Sequence, residues 1–510
     1  MSFVIIQHVT FSNIVTCTNA NVGTTPTSTT SFASALKLVD SYHSNNFMVS
    51  SEEKKDSSLS SLSSPSSSEY LSACPANPQE MRMETDITVV TLNCWGIRFV
   101  SKDRVARMTA IAEELATGKY DFVFLQEVWT TEDYERIKSR TGDVLPYSHY
   151  FFSGVIGAGI CIFSKSPIKS AFFHQWAVNG YIHKIQHGDW FGGKGIGMVE
   201  VDHRGLTINL YTTHLHAEYD RTNDEYLAHR VTQAFDTAQF ISLTSKHADA
   251  VIVGGDLNTE PGDLAYRLIV HTAQLQDACE EIVSKSKSAS KELMNTCETA
   301  RNSYSSPNSL KLNPFGKRID YIAYKGGSNV NVSALSCETS WPDRVPGQPF
   351  SYSDHEAVVT KLKVSKSDTN AKVPVLNEAK TETLEESIEI CNLALNHLQT
   401  SKNMYILLSL AMFVILSMTA NLELTGYLSP VVPILRAIIL LIFFFGIFMS
   451  VIWHRMEVHG ILSGKLGMLI ELGRPIAPDA EVLPENSVLI GGGDEKWTEV
   501  YSNSPQDCFP

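Results

Sequence analysis

Residues 251–258 end an apolar run with an aspartate and an asparagine two positions apart. The segment reads VIVGGDLN, so that an apolar strand leads through two glycines to Asp256 and Asn258. Alternation along an extended chain places these two side chains on one face, and glycine allows another backbone to approach closely. Such a pair could hold a phosphoryl group or the water that attacks it. The motif is a moderate signal alone, because Gly-Asp turns are common at strand ends.

A polar side chain at the end of an apolar run recurs five more times along the same region. In chain order, the six ends carry Asn93, Glu127, His214, Asp256 with Asn258, Asp320, and Asp354 with His355. A single carboxylate at a strand end usually caps a turn, and an isolated histidine is usually a packing or surface residue. Six such ends in order predict one polar site. Phosphodiester cleavage needs such a site, with an activated water, stabilised phosphoryl oxygens and help for the leaving group.

The elements that carry these ends alternate between strand-like and helical patterns. Apolar runs predict strands at residues 87–92, 121–125, 159–163, 206–211, 251–255, 318–322 and 357–362. Apolar residues at helical spacing predict helices over 103–117 and 224–243. Alternation of this kind is typical of an α/β fold.

Composition divides the chain into five parts. We expect a low-complexity, disordered tail over 1–82, a catalytic domain over 84–365, a linker with an amphipathic helix over 366–402, a membrane hairpin over 403–454 and a C-terminal tail over 455–510. The net charge is −14 and no block of Lys and Arg occurs, so nucleic acid is not an expected partner. Nine cysteines lack zinc spacing, and Cys94, Cys161 and Cys279 stand in apolar contexts. They predict packed thiols in a reduced, cytosol-facing enzyme.

Two uncharged apolar runs, residues 404–420 and 437–453, are each long enough to span a bilayer. Both are apolar all round, which favours lipid contact over a buried helix pair. Basic residues flank the pair, with Arg436 alone between the two runs. This asymmetry predicts an integral membrane protein of two spans with both termini in the cytosol, in an intracellular membrane such as the endoplasmic reticulum.

The ordered motifs LNCWG, LQEVW, THLHAEY, GGDLN, RIDYI and SDHEA resemble those of the superfamily of deoxyribonuclease I, apurinic endonucleases and sphingomyelinases. HGDWF at 187–191 and YLAHR at 226–230 look specifically like neutral sphingomyelinases that carry a C-terminal membrane hairpin. The resemblance covers residues 86–365 and the layout of the hairpin; the loop at 283–307 looks divergent. It implies a four-layer α/β sandwich of two facing mixed sheets flanked by helices. It also implies Mg²⁺-dependent hydrolysis of sphingomyelin in a bilayer to ceramide and phosphocholine, with Mn²⁺ as a possible substitute.

The resemblance also implies roles for individual side chains. Glu127, with the amide oxygen of Asn93, would hold the metal, since Mg²⁺ prefers oxygen ligands. The family assigns His355 as the general base toward water. The other assigned positions are Asp256 and Asn258 for the water and a phosphoryl oxygen, His214 as a donor to phosphoryl oxygen, and an Asp189–Lys194 pair on a loop near the site.

The partner of each histidine stays open at this point. Adjacent residues of a strand point oppositely, so Asp354 is not expected to orient His355. Asp320 or Asp256 would serve His355, and Asp354 would contact a different histidine such as His214. His216 is expected to be structural. Trp190 and Phe191 could touch lipid or pack in the core.

Several other functions compete with this interpretation. Gly192–Gly195 does not satisfy a P-loop, because Lys194 is followed by glycine. A nuclease or an inositol-phosphate phosphatase on the same scaffold would not explain the hairpin. A catalytically dead membrane scaffold would have been favoured by loss of Glu127, Asp256, Asn258 or His355, and all four are present. Choline lysophospholipids share the headgroup and phosphate of sphingomyelin, so a phospholipase C acting on them remains an alternative.

Overall fold

The computed structural model describes residues 84–285, 294–341, 344–366, 378–423 and 425–474. The predicted N-terminal tail, and the part of the C-terminal tail beyond residue 474, lie outside the described residues. The described residues form twelve strands. They are β1 Glu84–Asn93, β2 Phe122–Gln126, β3 Tyr147–Tyr150, β4 Cys161–Ser164, β5 Ile168–Gln175, β6 Gly195–His203, β7 Leu206–His214, β8 Ala250–Asp256, β9 Gln276–Asp277, β10 Asp320–Gly326, β11 Val330–Ser340 and β12 Ala357–Lys366.

Helices connect the strands and extend the chain beyond them. They are α1 Arg104–Leu115, α2 Thr131–Thr141, α3 Asp189–Gly192, α4 Leu227–Thr244, α5 Leu264–Ala273, α6 Ala278–Lys285, α7 Pro307–Leu312, α8 Glu378–Met418, a 3-10 turn Gly426–Leu428, α9 Val431–Ile447, a π-helical stretch Phe448–Trp453 and α10 His454–Glu471. Every strand and helix expected from the sequence is present, within a few residues at each end. Five strands were not expected from the sequence, namely β3, β5, β6, β9 and β11.

The strands form two six-stranded mixed sheets, in the orders β11-β12-β1-β2-β4-β3 and β5-β6-β7-β8-β10-β9. One apolar cluster takes Ile87 and Val89 from β1 together with Ile208 and Ile252 from the other sheet. The neighbouring side chains Val90 and Leu92 belong to a different cluster, with α1 and α2. Alternation along β1 therefore fills the space between the sheets with one face and the space under the helices with the other. This is the expected four-layer sandwich.

The C-terminal helices differ from the expected linker and tail. Helix α8 is continuous for 41 residues, so the amphipathic segment and the first apolar run are one helix. Leu384, Ile388 and Cys391 of its first half are buried in the core cluster that includes α4. Residues 454–471, expected within the hairpin end and tail, form α10 on the same cluster. The chain therefore enters and leaves the apolar segment as helices that are packed on the catalytic domain.

Helix α10 lies close to α4 along a stripe of glycines, of which Gly460, Gly464 and Gly467 point at the domain. A β-carbon added at Gly464 would lie 2.9 Å from Thr232, and one at Gly467 would lie 2.5 Å from Phe235. Side chains at these positions would push the helices apart, since interiors are close-packed. The glycines therefore set the distance between α10 and α4 of the domain.

Two helical segments, Glu378–Met418 and Val431–Glu471, are long and apolar enough to cross a membrane. Within them the apolar stretches expose most of their side chains. Ser409 approaches the backbone of the second helix near Gly446, a small-residue contact typical of membrane helix pairs. Arg436 donates to the carbonyls of Ala420 and Leu422 and so satisfies the end of α8.

One expectation for the cysteines is wrong. Cys279 is not a packed thiol but forms a disulfide with Cys337, which joins α6 to β11. Cys94 and Cys161 are buried free thiols, as expected. The apolar context of Cys279 indicated burial correctly, but a partner 58 residues away leaves no local signal.

Candidate active site

Strand register brings the predicted polar residues together at one edge of the facing sheets. His214 at the end of β7 stands opposite Asp256 at the end of β8, and Asp320 at the start of β10 stands opposite Asp256 on its other side. Asn93 at the end of β1 crosses from the other sheet, where its amide donates to Asp256 at 2.9 Å and to Glu127 at 3.1 Å. The six strand ends thus form one site, largely buried.

His355 lies just before β12 and is oriented by Asp320. Its Nδ1 is 2.8 Å from a carboxylate oxygen of Asp320, and its Nε2 is 4.0 Å from Asp256. This settles the open alternative in favour of Asp320 and leaves Nε2 directed into the site. Burial would lower the pKa of His355, but its contacts with Cys297 and Asp320 outweigh burial and raise that pKa well above its ordinary value.

The expected pairing of Asp354 with His214 is wrong. The carboxylate next to His214 is Asp256, at 3.6 Å, whereas Asp354 lies by Ser353 and near Glu127 and Arg107. Burial raises the pKa of Asp354 to about 6. As expected from alternation, Asp354 does not orient His355, whose Nδ1 is bonded to Asp320 instead.

His214 is held beside a buried ion pair. Lys194 is 2.7 Å from Asp189 and 3.4 Å from Nε2 of His214, and both members of the Asp189–Lys194 pair are buried. Burial and Lys194 lower the pKa of His214 well below its ordinary value, so the ring is neutral. His216 lies 3.6 Å from Asp189 and stacks on Tyr226. The expected Asp189–Lys194 pair is therefore present, and it adjoins the strand-end cluster through His214.

Two site residues are in a left-handed backbone conformation that non-glycine residues rarely adopt. The φ angles are +55° at Glu127 and +46° at Asn258. Strained backbone of this kind concentrates at functional sites. The turn aims Glu127 at Asn93 and Trp129, while the amide of Asn258 donates to the carbonyl of Leu215 at 3.0 Å. Asn258 therefore holds the segment after β7 as well as facing the site.

The donor set suits a divalent cation. Asp256, Asp320 and His355 bring one ligand atom each within 4.8 Å of one another, and Oδ1 of Asp320 is buried without a hydrogen-bond partner among the described residues. Burial and the neighbouring Asp320 raise the pKa of Asp256, a repulsion that a cation would relieve. This cluster differs from the expected Glu127–Asn93 pair. The amide oxygen of Asn93 accepts from the backbone N–H of Trp95 at 3.0 Å.

Sequence analysis missed two groups that position the site. Arg107 of α1 is fully buried and donates to the carbonyls of Cys94 at 2.8 Å, Trp95 at 2.7 Å and Tyr352 at 3.2 Å. It thus ties the segment after β1 to the segment before β12. Its position on the apolar face of a predicted helix was the available signal.

The second group lies in the loop that looked divergent. The Thr296 hydroxyl accepts the backbone N–H of Asp320 at 3.3 Å, and Cys297 bridges the backbone of both Lys317 and His355. The loop therefore joins the two halves of the His355–Asp320 pair. No motif in the sequence marked it.

An exposed apolar rim adjoins the site. Trp129, which donates to Glu127, lines an open cleft of about 610 Å³ together with Phe152 and Val155. Phe152 is 73% exposed and Val155 77% exposed. The backbone N–H of Val155 donates to the carbonyl of Phe191, next to Trp190, whose ring packs at 5.9 Å against Trp453 at the end of the second apolar run. Contacts therefore run from the cleft through α3 to Trp453 at the end of the second apolar run.

The family model described as Endonuclease/Exonuclease/phosphatase family matches residues 90–355, the segment that contains every strand-end residue of the site. The chain belongs to this family. A Drosophila melanogaster protein named "Putative neutral sphingomyelinase" is 38% identical over 438 residues, which cover 76% of this chain and 97% of that protein. Sphingomyelin phosphodiesterase 2 of Homo sapiens is 42% identical over 282 residues, 55% of this chain and 65% of that protein.

These matches place the chain in the neutral sphingomyelinase group of the family. Among solved structures, sphingomyelinase C from Streptomyces griseocarneus is similar with a TM-score of 0.42 and 18% identity, over 54% of this chain and 99% of that one.

Proposed function

We propose that this chain is a Mg²⁺-dependent neutral sphingomyelinase that hydrolyses sphingomyelin to ceramide and phosphocholine at a membrane surface. The observation that carries the proposal is the cluster of Asp320, His355 and Asp256. Together with Glu127 and His214, these residues lie at or next to strand ends within the segment that the family model matches. The similarity to proteins named neutral sphingomyelinase supports sphingomyelin as the substrate. The two candidate membrane spans support action at a membrane surface.

The side chains support a hydrolysis in which water attacks phosphorus and the bond to the ceramide oxygen breaks. Once the ring of His355 is neutral, its Nε2, directed into the site, is placed to take the proton of the water, while Asp320 holds the ring through Nδ1. Neutral His214 beside Lys194 is placed to donate to a phosphoryl oxygen as it gains charge. A Mg²⁺ ion held by Asp256, Asp320 and Glu127 would supply Lewis-acid stabilisation of the phosphoryl oxygens. Mn²⁺ would suit the same oxygen ligands.

The C-terminal half of the chain supports a proposed topology. We propose two spans over 404–420 and 437–453, with the catalytic domain, α10 and both termini in the cytosol, in an intracellular membrane such as the endoplasmic reticulum. The packing of α8 and α10 on one domain supports the same side for both ends of the hairpin. The apolar rim at Phe152 and Val155 would then contact the lipid that enters the cleft.

The test is a direct assay on purified full-length protein in mixed micelles. Phosphocholine release from sphingomyelin and from choline lysophospholipid is measured with Mg²⁺, with Mn²⁺ and with chelator. We expect Mg²⁺-dependent release with a higher kcat/KM on sphingomyelin, and loss of release in His355→Ala. Preference for the lysolipid would assign the alternative substrate. No release from either lipid, by protein with native circular dichroism, would favour the dead scaffold and refute the proposal.

A further inference from the structure

A cavity of about 570 Å³ lies where the helices leave the catalytic domain for the apolar segments. Its walls come from the loop at Tyr181, the start of α4, the middle of α8, and the π-helical stretch with the first turns of α10. None of the strand-end residues of the active site lines it. The volume is that of a ligand pocket, and π-helical turns inside α-helices often mark functional sites.

The inner wall of this junction cavity presents a buried carboxyl group, that of Glu457, with no cationic partner among the described residues, and burial raises its pKa to about 8. Glu457 is 6% exposed, and its Oε1 accepts no hydrogen bond from any described residue. The neighbouring His229 lies 3.8 Å away, and burial lowers its pKa to about 3, so it provides no positive charge. A buried carboxyl group with a raised pKa stays neutral until a cation approaches it, so this wall can offer a negative charge to a cationic ligand.

Aromatic and basic groups line the same cavity as this carboxyl group. Tyr181, Tyr405 and Trp453 line the same cavity, and aromatic faces attract quaternary ammonium groups. Lys402 also lines it, immediately before the first apolar run, and no ion pair to Lys402 occurs within the described ranges. The cavity thus holds a carboxyl group that a cation would ionise, aromatic rings beside it, and the ammonium of Lys402 at the start of the first apolar run.

We propose that the junction cavity is a second lipid site, which binds the zwitterionic phosphocholine headgroup of a membrane lipid. The quaternary ammonium would lie by Glu457 and the aromatic rings, and the phosphate would lie by Lys402. Leu393 and Met404 on α8 and Met449 on the second helix line the cavity, and the acyl chains would leave along this apolar side. Sphingomyelin and phosphatidylcholine share the headgroup, so either could occupy the site. The inference goes beyond the proposed function, because it concerns binding at a place remote from the catalytic residues.

The experiment uses full-length protein that carries His355→Ala, so that no lipid is consumed. The protein is placed in phosphatidylglycerol vesicles with a trace of photoactivatable phosphatidylcholine or of phosphatidylglycerol bearing the same reactive chain. Labelled peptides are identified by mass spectrometry. We expect the choline probe to label residues 390–405 and 449–461 well above the glycerol probe, and unlabelled phosphatidylcholine or sphingomyelin to compete.

Glu457→Gln is the diagnostic variant, because it removes the group that a bound cation would ionise while keeping the shape of the side chain. We expect its labelling by the choline probe to fall about tenfold, the worth of a desolvated cation contact. Glu389→Gln, an exposed position on α8 that does not line the cavity, should label normally. If Glu457→Gln does not fold, Ala394→Phe, which fills the cavity, should abolish labelling.

Equal labelling by the two probes, or unchanged labelling in the folded variants, would overturn the site. Competition by phosphatidylcholine identifies a headgroup site open to resident lipid, and competition by sphingomyelin alone identifies a substrate site; failure of both to compete refutes it. The readout is binding, so its failure leaves the hydrolase proposal untouched, and failure of the hydrolase assay does not alter this result.

Discussion

Asp320→Asn separates the positioning of the general base from the stability of the fold. Asp320 is fully buried and bonds Nδ1 of His355 at 2.8 Å. An asparagine can still accept this hydrogen bond, but it cannot stabilise the imidazolium that forms when the ring takes a proton. A positioned general base contributes a rate factor of about 10²–10⁴. We therefore expect kcat on micellar sphingomyelin, measured at saturating Mg²⁺ to offset the loss of a metal ligand at Asp320, to fall by at least about 10².

The expected change in stability is small because two effects oppose each other. The pKa of Asp256 is raised from 3.8 to about 7 by burial first and by Asp320 second. A carboxyl group whose pKa is higher in the folded state than in the unfolded state destabilises the fold as the pH rises from the unfolded-state pKa to the folded-state pKa. Removing the Asp320 charge should increase the free energy of unfolding of the metal-free protein at pH 8 by about 1–2 kcal/mol. Weakening a charge-assisted hydrogen bond to His355 costs about the same.

Stability is measured by urea unfolding in chelator at pH 8, and activity by phosphocholine release with Mg²⁺. Asp277→Asn is the matched control, since Asp277 forms a buried ion pair with Arg318 at 2.8 Å. Breaking that pair should destabilise by about 3–5 kcal/mol, with near-normal turnover of the folded fraction. The reasoning fails if Asp320→Asn keeps more than about a tenth of the wild-type kcat, since loss of a general base is larger than that.

Four further outcomes are expected. Glu127→Gln should raise the Mg²⁺ concentration for half-maximal activity and lower turnover, and unchanged Mg²⁺ titration would remove Glu127 from the metal site. Because the pKa of Asp256 is raised to about 7, a proton must leave before a cation binds, so calorimetry below pH 7 should show proton release and Mg²⁺ affinity that increases with pH; affinity independent of pH would contradict this. Gly464→Leu, which overlaps Thr232, should destabilise by about 1–3 kcal/mol and reduce activity on bilayers more than on micelles, whereas Ser463→Leu, on the exposed side of α10, should do neither. An engineered glycosylation sequon after residue 474 should stay unmodified in microsomes if the tail is cytosolic, and glycan addition would reverse the topology.

The strand-end residues were predictable because each depends on local sequence alone. An apolar run fixes a strand, and the polar residue after it must lie at the strand end. The order of Asn93, Glu127, His214, Asp256 and His355 along the chain then implied one site, and the structure brings them to one edge. Pairing was less predictable, because the choice between Asp320 and Asp256 for His355 depends on the register between β8 and β10.

Positioning groups distant in sequence left little or no signal. Arg107 lies on a predicted helix, but that helix gave no sign of the carbonyls it bonds on two other segments, one of them 245 residues away. Cys297 joins Lys317 to His355 through backbone pairing, which no side-chain pattern encodes. The Cys279–Cys337 disulfide depends on the packing of α6 on β11. Such long-range contacts become visible only when the two sheets face each other.

The glycine stripe of α10 indicates that the two apolar helices are joined rigidly to the catalytic domain, which their apolar composition alone did not indicate. A flexible tether would let the catalytic domain turn freely above the bilayer. Here α8 passes without a break from the domain core into the apolar run, and α10 returns to α4 with Gly464 in close contact. The edge-on contact of Trp190 with Trp453 adds a third contact, next to the loop that holds Lys194. In the proposed topology, a domain held at three places would have a fixed height and orientation, so that the cleft beside Glu127 would face one layer of lipid rather than solvent at random.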